Sequence, residues 1–311
     1  AACCVLSPNR PSQLVKLSVV IPVYNDADGI DATLRSVAAQ DHPDYEILPV
    51  DNNSTDETPA VIESWADRYP DRIRPLTERT IQSSYAARNT GIEAAVGEIV
   101  VFIDADMTVP PNWLQTIEDV FAGHDADYVG YEIQIYIPEG EKGIWGWYDQ
   151  KLGLPSRYFY EQKQFVPTAS LAVRRRVFDE IGPFDATLAS GGDKNFGRRV
   201  FNHPNLKTHF ADDVVVYHPA RTRFREHYKK AIRIGRGMAA SHRELQVDRL
   251  LDAVPVGLLM HLPPPNPFRV YRMSGVLGPA QFLLLYGMST LIRYIRLYGA
   301  LTYYLGLNAN G

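Results

Sequence analysis

Segments typical of buried strands and of amphipathic helices alternate through the first 130 residues of this 311-residue chain. The strand segments, rich in Val, Ile and Leu, lie at residues 17–24, 45–50, 73–76 and 99–103. Helices are predicted at 28–40, 84–96 and 112–121. Another helix is predicted to begin near residue 55, with Ser54, Thr55 or Asp56 as its N-cap. This alternation predicts an α/β fold, in which a mostly parallel central sheet carries helices on both faces.

Three polar clusters follow predicted strands at the point where each strand ends. They are Tyr24-Asn25-Asp26, Asp51-Asn52-Asn53 and Asp104-Ala105-Asp106. The carboxyl ends of parallel strands meet at one edge of a sheet, where open α/β folds bind their ligands. Carboxylate oxygens on such a turn suit a divalent cation, which commonly accompanies phosphate groups. Each cluster alone also fits a polar turn, but the convergence of three predicts a binding site.

The middle of the chain has less regular patterning. Strands are predicted at 128–137, 170–173 and 207–216, and helices at 174–181 and 194–201. An aromatic group, Trp145, Trp147 and Tyr148, stands in a Gly-rich stretch. Asp193 opens a predicted helix directly after two glycines, and a helix N-terminus favours the ionised carboxylate. A plain N-cap is the alternative role for this aspartate.

Charge divides the chain into two unlike parts. Residues 217–311 contain 13 Lys and Arg against 4 Asp and Glu, a net charge of +9, whereas residues 1–216 carry −13. A long basic helix is predicted at 221–243, a rigid proline-rich connector at 255–267, and an uncharged stretch at 276–292, near the minimum length of a membrane span. This pattern favours an acidic soluble part followed by a part that lies on an anionic membrane surface.

Two alternatives stay open for this last part. The basic helix also fits a solvated surface helix, and the uncharged stretch also fits a helix packed on the protein itself. Because the whole chain has a net charge of −4 and a pI near 6.1, nucleic acid is not an expected partner. The adjacent Cys3 and Cys4 cannot form a disulfide framework, which fits a reducing compartment.

Five motifs stand in an order that resembles family 2 glycosyltransferases of the GT-A fold. In chain order they are VVIPVYN at 19–25, VDNNSTD at 50–56, ARNTG at 87–91, the Asp104-Ala105-Asp106 triplet, and GPFD at 182–185 with Gly191-Gly192-Asp193 and Arg198-Arg199. The resemblance covers residues 16–240. It implies a Rossmann-like GT-A domain that transfers a sugar from a nucleotide-diphosphate sugar.

The resemblance also implies a domain organisation. We expect a disordered N-terminus at 1–15 and a catalytic domain at 16–220, with a nucleotide-binding half at 16–125 and an acceptor half at 126–220. The basic and apolar helical region at 221–311 follows as the membrane-associating segment.

Donor-side residues follow by matching positions to the family motifs. The nucleotide-binding residues implied are Pro22, Tyr24, Asp26, Asp51, Asn53, Arg88 and Asp104. Asp51 is expected to hydrogen-bond the base, usually uracil, and Asp104 to reach the ribose or a metal-bound water. The alternatives are a turn residue for Asp51 and a surface ion pair for Arg88.

A divalent metal, Mn²⁺ or Mg²⁺, is the implied cofactor. Asp106 is its expected ligand, and His218 is expected to complete the site, because imidazole is an acceptable ligand for manganese. Arg221 and Arg223 are expected to close over the diphosphate, since guanidinium groups recognise phosphate well. Lipid headgroups are their alternative partners.

The acceptor side depends on Asp193 as general base. The family pattern usually has Glu-Asp at this point, whereas position 192 is glycine in this chain, so the role of the Glu is unassigned. Trp145, Trp147 and Tyr148 are expected to form an acceptor platform, because sugar faces stack on aromatic rings. Gly192 is a further expected acceptor residue. Core packing is the alternative for these aromatics.

The sequence thus predicts an inverting glycosyltransferase that moves one sugar, with a UDP-sugar as the expected donor, to a lipid-linked or polysaccharide acceptor. Its expected location is the cytoplasmic face of the cell membrane, as a peripheral protein of cell-envelope polysaccharide biosynthesis. The alternatives are a processive polysaccharide synthase subunit and a non-catalytic sugar-nucleotide-binding module. Processive synthases carry a Gln-x-x-Arg-Trp motif. Residues 246–250 match its Gln and Arg but have Leu in place of the Trp.

Overall fold

A computed structural model describes residues 16–188, 190–244, 263–275 and 277–307. The predicted disordered end at 1–15, the residues 246–250 and most of the predicted connector at 255–267 lie outside these ranges.

One seven-stranded sheet runs through the described part of the chain. Its strands are β1 Leu17–Val23, β2 Tyr45–Asp51, β3 Leu76–Thr77, β4 Ile99–Phe102, β5 Tyr128–Tyr136, β6 Leu171–Arg174 and β7 Thr208–Pro219. They lie in the order β3-β2-β1-β4-β6-β5-β7. Only β6 is antiparallel to its neighbours, so the carboxyl ends of β1, β2, β4, β5 and β7 share one edge. The predicted mostly parallel α/β sheet is confirmed.

Eleven α-helices surround the sheet or follow it within the described ranges. They are α1 Ala27–Ala38, α2 Thr58–Arg68, α3 Ser84–Ala94, α4 Trp113–Gly123, α5 Ile144–Leu152, α6 Ser156–Lys163, α7 Arg176–Ile181, α8 Gly192–Phe201, α9 Phe224–Glu244, α10 Pro267–Ser274 and α11 Pro279–Tyr304. A short 3₁₀ helix, Thr168–Ser170, precedes β6.

Two apolar layers cover the two faces of the sheet. Successive residues of a strand point to opposite faces, and β1 shows this directly. Val19 and Ile21 pack with α1 and α4, whereas Val20 packs with α3, α7 and α8. Because both faces are covered, β1 is buried at every position, which explains its continuous apolar sequence.

Several elements differ from the sequence prediction. The Gly-rich stretch around Trp145 is helical, as α5, and β3 is shifted to Leu76–Thr77. At the start of α2 the cap position is Glu57, which makes no side-chain cap hydrogen bond, and Asp56 instead accepts from the backbone N–H of Thr58. β7 extends to Pro219, where it still pairs with Tyr136 of β5, and a register shift opposite Tyr131 and Glu132 leaves the acidic residues 212–213 without partners in β5.

The last helices pack on one another and on α5. Leu285, Met288 and Ile292 of α11 join Ile232 of α9 and Tyr148 of α5 in one apolar cluster. A Cβ atom added at Gly299 would lie 2.7 Å from the carbonyl oxygen of Ile232, so α9 and α11 are in close backbone contact there. The uncharged stretch predicted at 276–292 therefore packs on the protein through one face.

The other face of α11 is apolar and exposed. Its exposed positions from 283 to 301 are all Leu, Tyr or Gly. Within the described ranges no single helix has both the length and the apolarity to cross a membrane, while α10 and α11 together, bent by 114°, meet that test by length and composition only.

Candidate active site

The tips of β1 and β2 are tied to each other by their polar residues. The backbone N–H of Asn25 donates to the Ser54 hydroxyl at 2.9 Å, and the N–H of Thr55 donates to the Asn25 side chain at 2.7 Å. Asn25 and Asn53 both adopt left-handed backbone conformations, with φ of 51° and 64°, which Asn tolerates better than most residues. This pairing fixes two of the three predicted polar clusters side by side.

The residues expected to contact the base differ in exposure. Tyr24 and Asn53 are exposed, whereas Pro22 is buried within β1 and can meet a ligand only through its backbone. Asp51 is buried and accepts the backbone N–H of Ser54 at 3.2 Å, the turn role that was its alternative. Its hydrogen bond to a base stays a prediction.

Asp26 serves as the N-cap of α1. Its carboxylate accepts from the backbone N–H of Gly29 at 3.1 Å. Burial raises the pKa of Asp26, and the nearby carboxylate of Asp106 raises it further. The β1 tip and the triplet after β4 therefore face the same space.

Arg88 forms a buried ion pair with Asp104. One guanidinium nitrogen lies 2.6 Å from Oδ1 of Asp104, and Nε of Arg88 is buried without a hydrogen-bond partner. The ion pair that was the alternative role of Arg88 is therefore present, although the arginine itself is buried and only Asp104 is partly exposed, at 42%. Contact of Arg88 with a nucleotide stays a prediction.

Asp106 is brought to His218 by a bridge between the loop after β4 and β7. Thr108 and Tyr217 exchange two backbone hydrogen bonds, at 2.9 and 2.8 Å. The hydroxyl of Thr33 on α1 donates to the carbonyl of Met107 at 2.7 Å and braces the same loop from beneath. As a result Oδ2 of Asp106 lies 3.5 Å from Nε2 of His218.

The tautomer of His218 suits a metal ligand. Its Nδ1 lies 2.6 Å from the carbonyl oxygen of Pro219, and because that oxygen can only accept, Nδ1 must carry the proton. In the neutral ring Nε2 then carries a lone pair, which lies 3.5 Å from Oδ2 of Asp106 and 3.4 Å from Nη2 of Arg221. A backbone carbonyl that fixes the ligating tautomer is the usual support of a metal-bound histidine.

The pair fits a divalent cation that is shared with a substrate. Within the described residues no cluster of three or more His, Cys, Asp or Glu is arranged to hold a metal ion. Asp106 and His218 supply two ligands, and cations that bind nucleotide phosphates commonly use one or two protein ligands and complete their shell with phosphate oxygens and water. The side chain of Asp106 is 39% exposed, which leaves it accessible from the cleft.

Asp193 lies in the first turn of α8. Burial raises the pKa of its carboxyl group, although the N–H of Lys194 and the charge of Arg88 oppose this effect. Burial thus acts on this carboxyl group in the direction opposite to the effect of the helix N-terminus, and the role of Asp193 as base stays a prediction. The charges of Arg88 and Asp104 both influence its pKa, which is consistent with a position near the donor-side acids.

Tyr85 occupies the space beside Gly192. A Cβ atom at Gly192 would lie 2.8 Å from three ring atoms of Tyr85. The Tyr85 ring is in turn stacked on Phe184 of the GPFD motif, with 6.1 Å between ring centroids. Glycine at position 192 is therefore required by the aromatic ring that α3 places over the start of α8.

Arg221 is oriented by a buried acid that the sequence analysis missed. Its backbone N–H and its Nη1 both donate to Oδ2 of Asp149 on α5, at 2.9 and 3.3 Å. Its Nη2 reaches to 3.4 Å from Nε2 of His218, so Arg221 lines the cleft. Arg223 is exposed, and its backbone N–H donates to Glu226. Contact of either arginine with a diphosphate stays a prediction.

The aromatic residues of α5 pack toward the C-terminal helices. Trp145 stacks obliquely on Phe224 of α9 at 5.0 Å between centroids, and Tyr148 is buried in the α9–α11 cluster. Trp147 packs against the same cluster. These contacts are the core packing that was the alternative, and a role in stacking an acceptor sugar stays a prediction.

The geometry brings Asp106 to His218 at the sheet edge, and the Arg88–Asp104 pair and Arg221 lie beside them. The structure of the mannosyltransferase PcManGT from Pyrobaculum calidifontis in complex with GDP-Man and Mn²⁺ matches this architecture with a TM-score of 0.61 at 20% identity, covering 97% of this chain and 90% of that one. Staphylococcus aureus TarS 1-349 in complex with UDP-GlcNAc matches with a TM-score of 0.54 at 20% identity, covering 95% and 93%. The fold is thus that of the GT-A glycosyltransferases.

Sequence comparisons give the family. The model described as glycosyl transferase family 2 matches residues 18–182. The glycosyltransferase AglE of Haloferax volcanii is 37% identical over 228 residues, which are 73% of this chain and 74% of that protein. An uncharacterized glycosyltransferase of Nostoc, alr2836, is 36% identical over 181 residues, 55% and 54% of the two chains. The chain belongs to glycosyl transferase family 2.

Proposed function

We propose that this glycosyltransferase moves one sugar from a nucleotide-diphosphate sugar to a lipid-linked or polysaccharide acceptor, with inversion at the transferred carbon. The main support is the approach of Asp106 to His218 at the sheet edge. The charges of Arg88 and Asp104, which both influence the pKa of Asp193, support a place for Asp193 beside them. A relative supports the acceptor class: the undecaprenyl-phosphate 4-deoxy-4-formamido-L-arabinose transferase of Sodalis glossinidius is 34% identical over 123 residues.

Asp193 is the proposed general base. It takes the proton from the acceptor hydroxyl while that oxygen attacks the donor sugar, and a carboxyl group whose pKa is raised by burial is a stronger base than an exposed one. A single displacement needs one base and no enzyme nucleophile, so the configuration at the sugar carbon inverts. Arg88 keeps Asp104 in place beside this reaction path.

A divalent cation held by Asp106 and His218 would act as a Lewis acid on the leaving diphosphate. Arg221 is held in place by Asp149, which contacts its Nη1. Its Nη2 lies 3.4 Å from Nε2 of His218, where it could bind a phosphate oxygen of the donor. We propose a uridine diphosphate donor, as in the TarS complex, although the PcManGT complex carries a guanosine nucleotide.

Binding and turnover experiments test this assignment. UDP and GDP are titrated with Mn²⁺ or Mg²⁺ in a thermal-shift assay, and UDP with one of the metals is expected to give the largest stabilisation. Asp106→Ala should remove the metal-dependent part of that stabilisation. Asp193→Asn should keep donor binding and abolish transfer, and Asp67→Asn, at an exposed position on α2, serves as the matched control.

Two outcomes would contradict the proposal. Near-normal transfer by Asp193→Asn would remove Asp193 from the role of base. A product ladder, rather than one added sugar, would favour the processive synthase instead.

The exposed face of α11 is the proposed membrane contact. Leu283, Leu284, Leu291, Tyr298 and Leu301 are exposed and fall within an arc of about 100° at 3.6 residues per turn. The net charge of +9 over residues 217–311 complements an anionic lipid surface. Together these features support a peripheral location at the cytoplasmic face of the cell membrane.

Flotation with anionic liposomes tests this contact. The double variant Leu284→Ser, Leu291→Ser should float less than the parent protein, whereas Val96→Ser, which removes an exposed apolar side chain at the end of α3, should float equally well. Equal flotation of all three proteins would contradict a contact through α11.

A further inference from the structure

Helix α9 contacts the loop that leads to Asp193. Gly237 of α9 is buried, and a Cβ atom added there would overlap the Cβ of Ser190. Ser190 stands three residues before Asp193, and Gly191 between them has a left-handed backbone with φ of 87°. Because only Gly191 and Gly192 separate Ser190 from Asp193, a shift of Ser190 would be passed on to the carboxylate. The absence of a side chain at position 237 thus sets where this loop can lie.

The same helix contacts the segment that follows His218. Nε2 of His227 lies 2.8 Å from the carbonyl oxygen of Arg221, and because that oxygen can only accept, Nε2 carries the proton and donates it. His227 is 3% exposed, and the centroid of its ring lies 5.3 Å from that of Trp145. Asp149 accepts the backbone N–H of Arg221, so both backbone groups of this arginine are held. His227 therefore helps to fix Arg221 beside His218.

Backbone contact holds α9 between α11 and the loop before Asp193. A Cβ atom at Gly235 would overlap the carbonyl oxygen of Arg296 on α11. At 3.6 residues per turn, Gly235 and Gly237 point about 160° apart on the helix. At this level α9 therefore has the backbone of α11 on one side and Ser190 on the other. Because interiors are close-packed, α9 cannot retreat from an added side chain without moving one of these neighbours.

We propose that α9 completes the active site through two positioning residues, Gly237 and His227. Gly237 sets the loop before Asp193, and His227 sets the segment that joins His218 to Arg221. The two contacts are ten residues apart, about 15 Å along the helix axis. The inference rests on the proposed function, because it assigns positioning residues for the same reaction. The catalytic unit then extends beyond β7 to include α9.

The variant Gly237→Ala tests the contact on the Asp193 side. The added methyl group should displace Ser190 and Asp193 and lower kcat at least tenfold, since a misplacement of about 1 Å at a reacting group costs on the order of 100-fold. The reaction followed is hydrolysis by water of UDP-glucose, UDP-N-acetylglucosamine or GDP-mannose with Mn²⁺, whichever the parent protein cleaves fastest. Binding of UDP with Mn²⁺ should change less than twofold.

Removal of the opposing side chain should restore turnover. In the double variant Gly237→Ala, Ser190→Gly the nearest remaining atoms to the added methyl group are Cα and N of residue 190, both at 3.4 Å, which is an ordinary contact. Its kcat should return to within twofold of Ser190→Gly alone. Gly287→Ala is the matched control, because a Cβ there meets no atom within 4 Å, and it should keep the parental kcat. Amide hydrogen exchange of residues 190–194 should be faster in Gly237→Ala and return to the level of Ser190→Gly in the double variant.

The variant His227→Phe tests the contact on the metal side. The phenyl ring keeps an aromatic contact with Trp145 but cannot donate to the Arg221 carbonyl, so a buried polar group loses its partner. Affinity for UDP with Mn²⁺ should fall at least fivefold. His227→Gln retains a donor on its side-chain amide and should recover most of this affinity. Lys229→Ala, at an exposed position on α9, is the control and should bind UDP with Mn²⁺ as the parent protein does.

Different effects at the two positions distinguish positioning from a general loss of stability, which would lower turnover and binding together in both variants. Parental turnover in Gly237→Ala, a loss that Ser190→Gly does not relieve, or parental UDP–Mn²⁺ binding in His227→Phe would overturn the proposal. Failure of the proposed function looks different. In that case Asp193→Asn would keep its turnover and Asp106→Ala its nucleotide binding, while the faster hydrogen exchange in Gly237→Ala would persist.

Discussion

The contact between Tyr85 and Gly192 predicts a large effect from the smallest possible substitution. In Gly192→Ala the new Cβ lies 2.8 Å from three atoms of the Tyr85 ring, against an ordinary contact of at least 3.4 Å, so the ring must move by about 0.6 Å. The ring cannot move freely, because it is buried and stacked on Phe184. Overpacking of this kind costs about 1–3 kcal/mol, even though Ala ordinarily suits a helix better than Gly.

Urea unfolding and thermal melting measure this cost. For a chain of this size 1 kcal/mol corresponds to a change in melting temperature of roughly 2–4 °C, so Gly192→Ala should melt roughly 2–12 °C below the parent protein. Gly287→Ala is the matched control, because Gly287 lies within α11 and a Cβ there meets no atom within 4 Å. That variant should gain about 0.5–1 kcal/mol.

A double-mutant cycle isolates the contact itself. In a Tyr85→Leu background the ring is gone, and Gly192→Ala should then cost little or nothing. Because Asp193 follows Gly192 directly, Gly192→Ala should also lower kcat more than it changes the donor KM. If the substitution costs the same with and without the Tyr85 ring, the steric account of glycine at position 192 is refuted.

Three further predictions concern the carboxylates and their support. Burial in the folded protein raises the pKa of Asp193, which destabilises the fold when the group must ionise, so Asp193→Asn should raise the melting temperature at neutral pH. The gain should shrink as pH falls through the folded pKa and vanish below the unfolded pKa. Thr33→Val leaves the Met107 carbonyl without its hydroxyl donor and should lower the free energy of unfolding in urea by about 1–3 kcal/mol. Metal-dependent nucleotide binding should also weaken, because the loop that carries Asp106 loses this hydrogen bond. Burial acts to raise the pKa of Glu46, but hydrogen bonds from Ser18, Val96 and Arg74 outweigh burial and lower that pKa. Glu46→Gln should therefore be less stable than the parent protein near pH 7. The difference in melting temperature should shrink on acidification below pH 4.5.

The elements that were predictable from sequence are those whose signal is local. β1 and β4 end within one residue of their predicted ends. Each is an apolar, β-branched run bounded by polar residues, and the strand ends where that run ends. The helix α5 was missed because its glycines suggest a loop. Gly146 is in fact a packing position, where a Cβ would lie 3.3 Å from the side chain of Thr222.

The same distinction separates the parts of the active site. The strand-tip acids were predictable, since the end of a strand is visible in sequence and parallel strands bring their ends together. The partnership of Arg221 and Asp149 has no local signal, because the two residues are far apart along the chain and meet only after α5 packs beside the end of β7.

The two halves of the proposed chemistry have separate supports. Asp106 and His218 are brought together by the Thr108–Tyr217 bridge, which joins the loop after β4 to β7. Asp193 is set by the contact of α3 with the start of α8 and with the GPFD turn, where Asn89 exchanges hydrogen bonds with the backbone of Phe184 at 2.8 and 3.0 Å. Arg88 stands on α3 and pairs with Asp104 after β4, so it links the two supports. A change in metal binding and a change in the proton-accepting group should therefore be separable by mutation everywhere except at Arg88.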